Sequence, residues 1–109
     1  MVITELLEKN AKVLPGEVAL VEVNGDEIPD NHTTWKEFSL NGAKPGGSYR
    51  REMTWKEFDI KANRFANLLL TRGIKRDDKV AILLMNSIEW LPVYFGILKT
   101  GAVAVPMNF

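Results

Sequence analysis

Cysteine is absent from the chain. Its absence excludes disulfides, thiolate zinc sites and a cysteine nucleophile. Histidine occurs once, as His32, beside Asp30 and Asn31 in a polar stretch. A lone imidazole cannot assemble a metal site, so His32 reads as a solvated loop residue. An excess of either charge is also missing, with 14 basic residues against 14 acidic ones and a formal net charge of zero. That balance gives no electrostatic reason to expect nucleic acid or an anionic membrane as a partner. Long apolar runs are missing too. The longest, Val80 to Leu98, is broken by Asn86, Ser87, Glu89 and Pro92, whereas a membrane span needs about 20 nearly uninterrupted apolar residues. Glu5 and Glu8 interrupt the first apolar stretch, which is unlike a secretory signal. A soluble, cytoplasmic protein is expected.

What remains is ordinary globular material, 46% apolar and 26% charged over 109 residues. A chain of this length fits one small domain and hides roughly two-thirds of its unfolded surface, which leaves a thin stability margin. Ile3, Leu7, Ala11 and Leu14 share one helical face, with Leu6 beside them, and Pro15-Gly16 stops that helix. Val18 to Val23 is a strand ending at the turn signal Asn24-Gly25. Residues 25–48 read as a long polar loop punctuated by Pro29, Asn41-Gly42 and Pro45-Gly46-Gly47. Tyr49 to Trp55 is the next strand candidate, less apolar and therefore near an edge.

Thr54-Trp-Lys-Glu57 has the form of a capping box, in which the threonine hydroxyl and the glutamate carboxylate each satisfy a free amide of the first turn. Phe58, Ala62, Phe65, Ala66 and Leu69 continue at helical spacing until Gly73 closes the helix. A charged turn, Lys75 to Lys79, leads into the apolar run Val80 to Met85, of strand length and suited to burial on both faces. Asn86-Ser87 opens a last helix, apolar nearly all round from Leu91 to Leu98, with Pro92 limiting where it begins. Gly101 ends it before a strand at Val103 to Val105. The fold class expected is α/β: a β-hairpin with a long loop, then a mostly parallel strand–helix–strand–helix–strand unit. By segment, residues 1–24 are helix and first strand, 25–48 a loop insertion, and 49–109 the α/β core.

Little in the chain has the form of a reactive site. Pro45-Gly-Gly-Ser48 lacks P-loop spacing, and no GxGxxG follows a strand. Asp77-Asp78, between Arg76 and Lys79, reads as a solvated turn rather than an acid/base pair or Mg²⁺ site. Ser39, Ser48 and Ser87 have no base pattern around them, and Ser87 is better explained as a helix cap. Trp35, Trp55 and Trp90 suit core or interface packing. Thr34-Trp-Lys-Glu-Phe38 recurs as Thr54-Trp-Lys-Glu-Phe58, which reads as two strand-to-helix capping boxes rather than a duplicated ligand contact. No catalytic, cofactor-binding or metal-ligating residue is assigned.

Three stretches nevertheless resemble one family. Met53 to Leu70, with Thr54, Glu57, Ala62, Asn63 and Arg64 in place, is similar to the first core motif of the adenylate-forming superfamily. Asp78-Lys-Val-Ala-Ile-Leu-Leu-Met-Asn-Ser87 resembles its Asp-Arg-Val-Ala-strand-Asn-Ser segment. Leu98-Lys-Thr-Gly-Ala-Val-Ala-Val-Pro-Met-Asn108 resembles its second core motif. Together they cover roughly residues 50–109, while loop 25–48 carries no family motif.

The resemblance implies the N-terminal part of an AMP-forming acyl-CoA synthetase. Such an enzyme joins a carboxylic acid to ATP, releases pyrophosphate, and passes the acyl group from AMP to the thiol of coenzyme A. ATP, Mg²⁺ and coenzyme A are thus implied for the full-length parent, and none is expected to be bound by these 109 residues. In the family the phosphate loop, the acidic ribose-binding motif and the C-terminal lysine lie downstream of the second core motif. The same motifs occur in peptide-synthetase adenylation domains and luciferase-like enzymes, and a stand-alone α/β binding or interaction module is the alternative from a different class. Val103 to Phe109 ends in an apolar strand without a polar tail, so Phe109 reads as a truncation point. The expected partners follow: the missing rest of a ligase chain, or a second copy of this one.

Overall fold

The computed structural model describes residues 2–23 and 50–108. The insertion 25–48, with the first capping-box echo, His32, Trp35, Ser39 and Ser48, lies outside the described residues. The elements run α1 (Ile3–Val13), β1 (Val18–Val23), β2 (Arg50–Thr54), α2 (Trp55–Thr71), β3 (Lys79–Ile82), α3 (Trp90–Lys99) and β4 (Val103–Pro106). The mixed α/β class, the hairpin and the parallel pairing are as the sequence implies. The strand grouping is not. Among the described residues β2 pairs with β1 alone, antiparallel, and β3 with β4 alone, parallel, so the expected three-stranded portion is two strands.

α2 is the axis of the molecule. Phe58 and Ala62 enter one cluster with Leu7, Met53 and Ile88, whereas Phe65 and Leu69 lie against a second, built on Ile82, Ile97 and Ala102. The 58, 62, 65, 69 spacing puts all four on one stripe, which is how a single helix serves both clusters. That stripe faces α3 more than any sheet. β3 and β4 are covered on one side by α3 instead.

Local chemistry sets the helix boundaries. The Thr54 Oγ1 accepts from the Glu57 amide at 3.2 Å, and Glu57 Oε2 accepts from the Thr54 amide at 3.1 Å. The capping box therefore closes as the sequence implies. Thr54→Ala is expected to lower stability by about 1 kcal/mol in chemical denaturation; an unchanged midpoint would show that the cap contributes nothing. α3 departs from expectation. It begins at Trp90, after a turn in which the Trp90 amide donates to the Ser87 carbonyl at 3.1 Å, and its N-cap, Glu89, makes no side-chain cap bond. Pro92 occupies the third helical position, where its missing N–H has no intrahelical partner to lose. The strand before it also stops early, at Ile82, and leaves Leu83, Leu84 and Met85 exposed. The apolar face of α1 is only partly used, since Leu7 is buried while Ile3, Leu6 and Leu14 are exposed.

Candidate functional site

The second and third sequence motifs meet in space. The Asp77 amide donates to the Gly101 carbonyl at 3.1 Å, and the Val103 amide to the Asp78 carbonyl at 2.7 Å. Asp78 Oδ2 in turn accepts from the Lys75 amide at 2.7 Å. Asp77 sits at φ 69°, a conformation aspartate tolerates better than most side chains, and Gly101 at φ 83°, where glycine carries no steric penalty. The pair Asp77-Asp78 is therefore the turn anticipated from sequence, and it joins the start of β3 to the start of β4.

A concavity lies elsewhere, where α1, α2 and α3 converge. It is an open cleft of about 600 Å³ with Glu8, Lys12, Lys56, Asp59, Asn63 and Lys99 on its walls. Lys99 Nζ donates to Asp59 Oδ1 at 2.9 Å and to Glu8 Oε1 at 3.0 Å, tying the three helices together. Only 9% of the Lys99 side chain is exposed. Burial by itself would lower the pKa of this ammonium group. The hydrogen bonds to Asp59 and Glu8, with their charges, outweigh it and hold the pKa above the usual lysine value. A lysine that stays protonated and bonded to two carboxylates is neither a nucleophile nor a base at neutral pH. It is a clamp. Sequence inspection assigns it no role; the only signal was its place in the Leu98-Lys-Thr-Gly101 motif.

The clamp has unequal arms. The Asp59 carboxylate is 21% exposed and that of Glu8 51% exposed, so water screens the second pair more. Asp59→Asn is expected to lower stability by about 1 kcal/mol and Glu8→Gln by a few tenths. Because the folded-state pKa of Lys99 is raised, its contribution is complete below the unfolded value near 10.4 and fades as pH climbs through the higher folded value. The stability difference between wild type and Lys99→Met should thus stay flat from neutral pH to about 10 and shrink beyond it. A difference that vanishes at neutral pH would show the clamp to be unformed in solution.

Two smaller features complete the inventory. Arg51 bonds both Glu22 and Glu89, and Glu22 Oε1 accepts from the Ile88 amide at 3.2 Å, fastening the hairpin to the turn before α3. Between them lies a cleft of about 320 Å³ lined by Leu20, Glu22, Asn86, Ser87, Ile88 and Leu91. Ser87 thus lines a cleft wall instead of capping α3 through its side chain. Trp55 and Trp90 pack on the two clusters, with Trp55 stacked on Phe58 and Trp90 on Tyr94. The carboxylates described here do not fit a nucleotide-bound Mg²⁺. Asp59 and Glu8 are neutralised by Lys99, Glu22 and Glu89 by Arg51, and Asp78 is bonded to the Lys75 amide. Among the described residues no three metal-capable side chains gather, and no helix is long and apolar enough to cross a membrane.

The arrangement of hairpin, α2–α3 pair and parallel strands is that of the N-terminal part of an adenylate-forming ligase. The profile of the AMP-binding enzyme family matches residues 7–109, and the chain belongs to that family. A medium/long-chain-fatty-acid–CoA/3-oxocholest-4-en-26-oate–CoA ligase of Mycolicibacterium smegmatis is 43% identical over 58 residues, which are 53% of this chain and 10% of that protein. The long-chain-fatty-acid–CoA ligase FadD13 of Mycobacterium tuberculosis is 45% identical over 56 residues, 51% of this chain and 11% of the relative. A solved fatty acyl CoA synthetase of M. tuberculosis superposes on 97% of this chain with a TM-score of 0.67 and 30% identity, and 16% of its own length is covered. The chain thus spans only a small part of the proteins it is similar to.

Proposed function

We propose that this chain supplies the N-terminal framework of a cytoplasmic acid–CoA ligase that activates a fatty acid with ATP and Mg²⁺ and transfers it to coenzyme A. By itself the framework carries no ligase activity. One observation carries this reading: several of the motif residues are used in holding the fold, whereas Asn63 and Arg64 of the first motif are exposed. Thr54 and Glu57 cap α2, Ala62 is buried against α3, the Asp77-Asp78 turn ties β3 to β4, and Lys99 is bound between two carboxylates. The relatives are described as fatty-acid–CoA ligases, which supports the substrate class and the overall reaction.

Two measurements test the two halves of the proposal. Acid-dependent pyrophosphate exchange by the 109-residue chain is expected to match a no-protein control across a panel of carboxylic acids; clear exchange above it would refute inactivity. A chimera in which this chain replaces the matching segment of a long-chain-fatty-acid–CoA ligase is expected to form acyl-CoA from fatty acid, ATP and coenzyme A. A folded chimera without that activity would refute the framework role.

A further inference from the structure

α1 is fastened to the rest of the chain at few points. Leu7 alone of its residues is buried, in the cluster with Met53, Phe58, Ala62 and Ile88. Ile3, Leu6 and Val13 are exposed. Among the described residues, the one side-chain hydrogen bond from α1 to another element joins Glu8 to Lys99. Open space flanks that bond on both sides. The cleft of about 600 Å³ runs beside Ala11 and Lys12, and a second of about 460 Å³ runs beside Thr4, with Glu8, Asn63 and Lys99 on the walls of both. α1 therefore spans a groove over α2 without filling it.

The chain behind α1 is tied down. The Lys56 amide donates to the Pro15 carbonyl at 3.3 Å, and the Trp55 amide to the Glu17 carbonyl at 3.0 Å. Residues 15–17 are thus held by the first turn of α2, whose amides have no acceptor within their own helix. Just before them, Leu14 leaves the helical conformation, at φ −128° and ψ 49°, and its side chain is exposed. We propose that α1 is a strap hinged at Leu14. It releases as one unit, with Leu7 and Glu8 as its two fastenings, while the hairpin, α2 and α3 stay folded.

The clamp is built so that one arm can let go. Glu8 is the more exposed of the two carboxylates, and Asp59 keeps its bond to Lys99 when Glu8 leaves. Release therefore strands no unpaired ammonium group against the helices. Helix length sets how α1 opens. Its 11 residues are too few for a stable helix in water once detached. On lifting, α1 loses its backbone hydrogen bonds together, instead of one by one from its free end.

Amide hydrogen exchange of the 109-residue chain is the test. Amides of residues 7–13 should share one opening constant and exchange at least about tenfold faster than those of residues 58–70 in α2. Glu8→Gln should raise the α1 rate about twofold and Leu7→Ala by more than about tenfold, with α2 unchanged. Should Leu7→Ala fail to fold, the wild-type and Glu8→Gln rates decide. Equal protection of α1 and α2 would overturn the proposal. So would rates graded from residue 7 to residue 13, the mark of end fraying, or a Glu8→Gln variant that speeds α2 as much as α1.

Discussion

Phe58→Ala should lower the stability of this chain by about 3–5 kcal/mol, the range for removing a buried ring. Phe58 is 3% exposed and sits where the hairpin, α2 and the turn before α3 meet. Trp55 stacks on it with ring centres 6.1 Å apart, and Phe95 meets it edge-on at 5.2 Å. Those rings are held by their own helices and cannot collapse into the void, so both the lost transfer energy and the cavity count. Small domains are stable by only about 0.05–0.15 kcal/mol per residue, so the variant should be close to unfolding at 37 °C. Urea titration followed by far-ultraviolet circular dichroism measures it. A loss under about 1 kcal/mol would mean that the ring is not in the core.

Gly96→Ala should also destabilise, although helix propensity alone predicts a gain of about 1 kcal/mol. A Cβ built at Gly96 would lie 2.9 Å from the Ala62 carbonyl oxygen and 2.9 Å from Phe65 Cδ1. The first of these is backbone inside α2 and cannot swing aside, so α2 and α3 would have to separate along their whole contact. Overpacking of this kind costs about 1–3 kcal/mol, which exceeds the propensity gain. Gly96→Leu should be worse, with a broad, low thermal transition. If Gly96→Ala instead raises the melting temperature, the two helices lie farther apart in solution than described here.

These two sites differ in how far they could be seen in advance. Phe58 belongs to a helical stripe that begins immediately after a capping box, and both signals are local. Gly96 reads in sequence as one small residue inside an apolar helix, with nothing to show that Ala62 and Phe65 lie across from it. Lys99 is similar, since Glu8 and Asp59 are 91 and 40 residues away. Asn86-Ser87 has capping chemistry and so predicts an earlier onset of α3 than the Trp90 start the fold shows. In the fold the Ser87 carbonyl is taken by Trp90, and Ile88 is buried in the first cluster before the helix begins.

Local order was decided by the chain itself: the capping box at Thr54, the stripe along α2, the turn at Asp77-Asp78 and the strand character of Val18–Val23. Each rests on neighbours within a few residues or on alternation along a strand, and such patterns survive without knowledge of the rest of the molecule. Tertiary structure alone decided which strands share a sheet, that α2 is pressed on α3 through Ala62 and Gly96, and that Lys99 is held by two carboxylates. Those outcomes depend on contacts between segments tens of residues apart, whose choice among partners is made by packing volume and burial.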